Sequence, residues 1–433
     1  MQGATGARIG GIMRSKNCRS QIRITFLAAG LLLSPLLLAQ SERAHPTYVV
    51  VNLSSLGGTV GRSNAVNDRG RVSGWWNLPG DTNHHAVLWI DGQANDLGTL
   101  GGPSSEVEYI ATNDSGMLAG GSDTSTIDLY GENFCILTFP DQNQCSAFRW
   151  QNGAMSALPG LGGNSSYAAN SNRSGHIVGW AETTLDPNCL APQVFDTHGA
   201  QWSGDSVREL PPLPGDALSA AIAINDDDVA AGGSGHCGSP GELGFALLTR
   251  PVIWRNGLAI DLGGLGGQFN NTATDNNNLA QVVGMSDLPG DAATHAVLWQ
   301  NDSIIDLGTL PGDVFSYAWA ISMDGWLIFG QSCDANGNCR GFLWRNGVMT
   351  DVNALIPADS QLIIIDANDT NADGDITGQA FDPITGEMPA IELIPCAKID
   401  NPECESEARA SVRVALPQNV RDALYVKRLH FRK

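Results

Sequence analysis

Positive charge is scarce in this 433-residue chain: 24 Lys and Arg stand against 45 Asp and Glu, and the isoelectric point falls near 4.6. A surface of that sign repels phosphate backbones and anionic membranes, which excludes nucleic acid as a partner. Long apolar runs are just as scarce. After residue 39 none approaches the roughly 20 residues that a spanning helix needs, so the chain past its N-terminus holds no integral membrane segment. No Cys-x-x-Cys pair occurs, which argues against a thiolate zinc site. The serines, including Ser234 between Gly233 and Gly235, form no strand-turn-helix nucleophile elbow, so a hydrolase triad finds no support. The sequence therefore nominates no catalytic, cofactor-binding or metal residue, and no cofactor is expected.

What the N-terminus does contain is an export signal in outline. Five basic residues to Arg23 precede an apolar run from Ile24 to Ala39, followed by Gln40, Ser41, Glu42 and Arg43. Residues 1–41 are read as a signal peptide, with a retained anchor as the alternative, and the rest as extracellular or periplasmic. No lipid-attachment cysteine follows the run. Eight cysteines remain after Cys18, an even number that suits disulfides in an oxidising compartment. Eight allow 105 pairings. Proximity favours Cys135 with Cys145, Cys333 with Cys339 and Cys396 with Cys404, which leaves Cys189 with Cys237.

Residues 46–395 are repetitive. An apolar strand closing on tryptophan recurs at Trp89, Trp150, Trp202, Trp254, Trp299 and Trp344, with a degenerate copy, PAIELI, near Ile391. Hairpin turns such as Asn152-Gly153 and Asn346-Gly347 follow, then an LGxLGG-like segment. The third landmark is Asn-x-x-Gly-x-Val-x-Gly, as in NDRGRVSG from residue 67, with a diverged copy ending at Gly330. In the clearest unit the expected strands are His295 to Gln300, Ser303 to Leu307, Tyr317 to Ser322 and Gly325 to Gly330. Seven units of about 50 residues, each with four short strands, are the pattern of an all-β seven-bladed β-propeller. Parallel β-helix rungs are shorter, and outer-membrane strands are longer.

The chain ends support a closed ring. YVVVNLSSLGG from Tyr48 matches the segment that follows a tryptophan strand, and the last repeat lacks a strand after PAIELI. The N-terminal strand is expected to complete the last blade, which removes two open sheet edges.

These HAVLW-like strands, DLGTLGG segments and Asn-Gly turns resemble the HAF-repeat family of extracellular bacterial proteins over nearly all of residues 48–395. The resemblance implies secretion and a propeller-like fold, and brings no catalytic residues. Asp302-Ser303 and the stretch Met323–Gly330 depart from its pattern.

Recurrence separates scaffold from function. His85, His198 and His295 each stand four residues before a repeat tryptophan and are read as framework. Asp369, Asn371, Asp373 and Asp375 match the start of a calcium loop, but residue 380 is Ala where a bidentate Glu is needed, so a bare turn is the better reading. What breaks the repeat is one loop class: from the last Gly of the motif to the next apolar strand the distance is 30, 23 and 22 residues in units two to four, and 13 to 15 elsewhere. These loops should stand side by side on one face, rimmed by Tyr130, Glu132, Phe134, Phe139, Trp180, Glu182 and His236. The binding face is assigned to Tyr130, Glu132, Phe134, Trp180 and His236; tolerated surface insertions are the competing view.

The expectation is a monomeric, secreted, non-catalytic binding or scaffold propeller for an extracellular glycan or protein. The alternative is a secreted hydrolase or lyase acting on an extracellular polymer. Residues 396–433, ending in the basic stretch PQNVRDALYVKRLHFRK, are expected to be a poorly ordered tail.

Overall fold

A computed structural model describes residues 47–130, 143–186, 189, 194–237, 247–411 and 413–429. The signal peptide expected over residues 1–41 lies outside them. Seven four-stranded antiparallel sheets stand around an axis as a seven-bladed β-propeller. Blade 1 is representative: Gly61–Val66, Val72–Asn77, His84–Ile90 and Gln93–Asp96, each paired to the next. First strands of most neighbouring blades touch, so they line the axis while the short fourth strands face outward. Blade 7 is built from Ile363–Thr370, Ile376–Phe381 and Ala390–Pro395, and its fourth strand is the N-terminal Tyr48–Asn52, with Val50 opposite Leu393. The ring closes as the chain ends suggest.

The repeated residues each have a physical task. The tryptophan indoles point back to the segment leading out of the preceding blade: Trp89 donates to the Ser54 carbonyl at 2.8 Å, Trp202 to Pro159 at 2.7 Å, Trp254 to Pro211 at 2.8 Å and Trp299 to Gly263 at 2.9 Å. A buried indole N–H needs an acceptor, and the LGxLGG segment supplies one. The last glycine of the Asn-Gly motif is required by crowding. Every first strand of this kind bulges, as between Ser63 and Ala65, and a Cβ on Gly74 would lie 1.9 Å from the Arg62 carbonyl oxygen; Gly120, Gly179, Gly232, Gly284, Gly330 and Gly378 meet the same obstacle.

The asparagine that opens the motif works in two directions. Asn67 Oδ1 accepts the amides of Arg69 and Arg71 within its own turn, and its Nδ2 donates to the Asn113 carbonyl of blade 2 at 3.0 Å. Asn113 reaches Asn172, Asn172 reaches Asn225, Asn225 reaches Asn277, Asn277 reaches Ser322, and Asn371 reaches back to Asn67, at 3.0–3.3 Å. Six of seven blade junctions are thus stitched side chain to main chain. Asn172→Ala should leave buried polar groups unsatisfied and cost about 2–3 kcal/mol, read as a lower urea midpoint; a loss below about 0.5 kcal/mol would show the stitch to be dispensable.

His85, His198 and His295 are framework as expected. Each holds a carboxylate eleven residues on, in the fourth strand: Asp96, Glu209 and Asp306 at 2.8–2.9 Å. Arg250 and Arg340 occupy the same place and face Asp261 and Asp351, whereas Ser146 is matched by Ala157. The Asp369–Asp375 stretch is the repeat's own turn, with Asn371 Oδ1 accepting the amides of Asp373 and Asp375, and Lys398 sits against both carboxylates.

Two expectations are corrected. The strand placed at Gly325 to Gly330 runs from Ile328 to Cys333, because Ser322 to Leu327 form a longer turn than in other blades. The C-terminal segment is not a frayed tail over its described length. Gln418–Leu429 is a helix, and Leu416, Val420 and Leu424 are buried against Met285, Tyr317, Phe381, Met388 and the Cys333–Cys339 turn. Three blades contribute to that apolar seat, so no local sequence signal announces it.

Candidate functional site

The long loops join second to third strands, and in blades 2 and 3 these strands are themselves extended: Leu118–Ile127 and Asn143–Gln151, His176–Leu185 and Phe195–Ser203. The loops are tied together. Tyr130 packs edge-on against Phe195 with ring centroids 5.1 Å apart, linking blade 2 to blade 3, and the Cys189–Cys237 disulfide links blade 3 to blade 4. Cys396–Cys404 also forms as expected, and Cys145 is disulfide-bonded, while Cys135 is outside the described residues.

The expected binding residues are scattered over this sector. Tyr130 is 46% exposed on its loop, and His236 is exposed beside Cys237 at the end of Ala230–His236. Trp180 is half-buried deeper in the ring, stacked on Tyr167 at 4.9 Å. Glu132, Phe134 and Phe139 lie outside the described residues. Glu182 does not rim the face: it is fully buried, and its Oε2 accepts the amides of Asn164 and Ser165 at 2.9 and 2.8 Å.

Beneath the same face lies a cluster that the sequence did not disclose. The upper ends of the first strands of blades 7, 1 and 2 meet there, and Arg62 is its centre. Its guanidinium pairs with Glu108 of blade 2 and, at 2.6 Å, with both Asp366 and Asn368 of blade 7. Trp75 donates its indole N–H to Glu108 Oε2 at 2.6 Å, and Trp319 of blade 6 donates to Asp366 Oδ1 at 2.8 Å. Behind Glu108, Glu106 takes His84 Nε2 at 3.0 Å and the Tyr167 hydroxyl at 3.3 Å. Tyr109 stands edge-on to both Tyr167 and Trp180, at 5.9 and 5.7 Å. Three carboxyl groups, one guanidinium and an aromatic wall from five consecutive blades thus converge.

Burial sets the electrostatics. It pushes the Glu108 carboxyl up to about 7, against the opposing pull of Arg62 and with a further push from Glu106. Burial likewise raises Asp366, although Arg62 holds it back, and raises the phenols of Tyr109 and Tyr167, with Glu106 and Glu108 adding to the effect. Access differs among the acids. The Asp366 side chain is sealed, that of Glu106 is 11% exposed, and that of Glu108 is 19% exposed. Glu108 is the carboxyl that solvent, or a ligand, reaches most easily, and it titrates where proton transfer at neutral pH is efficient.

Tyr317, in the apolar seat of the C-terminal helix, stacks on Trp319 with ring centroids 5.8 Å apart. The cluster therefore lies between that helix, over blades 5 to 7, and the tied loops of blades 2 to 4.

No protein-family model matches this chain, and no curated protein does. Solved structures match by shape. The β-propeller domain of the Trilobed protease from Pyrococcus furiosus aligns over 67% of this chain and 80% of its own, at 9% identity and a TM-score of 0.39. Pyrococcus horikoshii acylaminoacyl peptidase aligns over 76% of this chain at 10% identity and a TM-score of 0.42, and Porphyromonas gingivalis dipeptidyl peptidase 4 over 74% at 10% and 0.30. The chain spans about half the length of these two, 52% and 49%. The likeness decides nothing about chemistry.

Proposed function

We propose that the protein is an exported hydrolase that cleaves glycosidic bonds of an extracellular polymer at the long-loop face, with Glu108 as the proton-transferring group. The observation that carries this is the Glu106–Glu108–Asp366 cluster around Arg62, in which one partly open carboxyl is raised to about 7 beside ionisable neighbours. Carboxyl groups with separated pKa values are the usual means of protonating a leaving oxygen while stabilising the positive charge left on the sugar. The half-buried rings of Tyr109, Trp180 and Trp319 beside it offer faces on which a sugar can stack.

Glu108 gives its proton to the glycosidic oxygen as the bond to the anomeric carbon breaks, water adds to that carbon, and the water's second proton returns to Glu108. The disulfides and the absence, among the described residues, of a helix long and apolar enough to cross a membrane fit export, as does the HAF-repeat resemblance. The tied loops would hold the polymer across the site, which gives Tyr130 and His236 a binding part.

The test is release of reducing ends from a panel of cell-wall and capsular glycans by the purified protein. Glu108→Gln should cut the rate by about 100-fold or more while the glycan still binds. Binding without turnover by the parent protein would instead favour a non-catalytic binding module.

A further inference from the structure

A second site is written into the opposite face, where the turns after the first strands and the third-to-fourth hairpins emerge. Between blades 3 and 4 a cleft of about 370 Å³ is lined by His176, Gln201, Ser203, Arg208, Asp228 and Asn256, among others. That volume lies within the range of small-molecule sites, about 300–1,000 Å³.

The seven blade junctions share one backbone, so the residues that differ here stand out. Arg208 lies opposite Gln201 across the outer strand pair; the matching pairs elsewhere are Leu88 with Asn95, Arg149 with Ser156, Ile253 with Ile260, Leu298 with Ile305, Leu343 with Thr350 and Glu392 with Val51. Where His176 follows its turn, other blades carry Arg71, Met117, Val229, Gln281, Leu327 and Asp375. Asp228 is the third departure. Its φ is +58°, at a position where five of the other six copies are glycine and one is Ala280. A side chain accepted in the left-handed region points to a use for it.

That use is visible. Asp228 Oδ1 holds His176 Nδ1 at 2.6 Å and also takes Asn172 Nδ2 at 2.8 Å. With Nδ1–H donating to the carboxylate, His176 keeps Nε2 as an acceptor for a ligand. The Arg208 guanidinium rests on the amide oxygen of Gln201 and forms no ion pair among the described residues, although the chain has nearly twice as many acids as bases. An unpaired guanidinium, an oriented imidazole, two serine hydroxyls and two amides form one lining.

We propose that this cleft binds a sugar acid of single-residue size. Its carboxylate pairs with Arg208, one hydroxyl donates to His176 Nε2, and the remaining hydroxyls meet Ser203, Gln201 and Asn256. A single negative charge suits the site better than two, because one guanidinium lines it together with the Asp228 carboxylate. The inference is independent of the chemistry assigned to Glu108.

Isothermal titration of the full chain with D-glucuronate tests it, with glucose and inorganic phosphate as comparison probes. Glucuronate should bind, and glucose and phosphate should bind at least about tenfold more weakly. Arg208→Gln should weaken glucuronate by about tenfold or more. Asp228→Gly restores the residue the repeat normally carries, so its unfolding midpoint should not fall, yet its glucuronate affinity should drop. No glucuronate binding, equal affinity for phosphate, or unchanged affinity in Arg208→Gln or Asp228→Gly would each overturn the proposal.

Discussion

Replacing Arg62 with methionine is expected to lower the unfolding free energy by about 3–5 kcal/mol at pH 8, and by much less at pH 5. The guanidinium is the cation that contacts both Glu108 and Asp366; its pairing with Asp366 is sealed from water, and that with Glu108 is partly open. Removing one partner of a buried pair leaves an uncompensated charge, which costs far more than the pair itself contributes. Here the stranded acids have an escape. Burial already raises both, and Arg62 is the group that opposes the rise. Without it their folded-state pKa values move further up, so at pH 5 they fold as neutral acids at little cost, while at pH 8 they must ionise in place or unfold the ring. Urea titrations at the two pH values measure the difference. Equal losses would mean that Arg62 acts by packing alone.

The second large effect concerns two acids outside that cluster. Burial pushes Asp275 up to about 7 and Asp369 up to about 8, although Asp275 accepts the Ile321 amide and Asp369 the Val66 amide, both across a blade junction. Raised folded-state values mean that the native ring holds protons which the unfolded chain releases from about pH 4 upward. The stability these protonated acids confer is complete below that point and is lost as pH rises through 7 to 8. The protein should therefore be more stable at pH 5 than at pH 8.5. Asp275→Asn keeps an oxygen for the Ile321 amide and removes the titration. It should flatten the slope between pH 4 and 7 and leave the variant more stable than its parent at pH 8, by on the order of 2 kcal/mol. Unfolding midpoints across pH 4.5–8.5 decide it, and an unchanged slope would refute the assignment.

These residues show where the sequence was legible and where it was not. Six copies of a strand-closing indole, six of an asparagine that reaches the next blade and seven of a glycine pressed on a carbonyl leave a period that reading in register recovers, and with it the blade count and the closing strand. Loop position was legible from length alone, since insertions are tolerated where chain leaves a blade edge. Side-chain roles on those loops were not. Glu182 reads as a rim acid, yet the chain returning through Asn164 and Ser165 buries it as a cap.

The acid cluster was hidden for a different reason. Arg62 meets an aspartate 304 residues further on, and that contact exists because the ring closes. A trace was present: the register of Glu106 is charged in three adjacent blades, as Asp366, Arg62 and Glu106, and holds Tyr167, Ala220, Thr272 and Tyr317 in the other four. The helix at Gln418–Leu429 shows the same limit. Val420 and Leu424 have helical spacing, but the surface they cover is assembled from separate blades.

The closing strand also fixes a timetable. Tyr48–Asn52 is among the first parts of the propeller to be made, and its partner, Ala390–Pro395, is among the last. At synthesis rates of about 5–20 residues per second, the early strand waits for tens of seconds with its hydrogen-bonding edge open. Six blades can assemble in the meantime, but the ring stays a gapped arc until Ala390–Pro395 arrives. A rearranged gene that began at blade 1 and carried Tyr48–Asn52 after Pro395 would shorten that wait to moments, and the gain in yield on expression would measure what the native order costs.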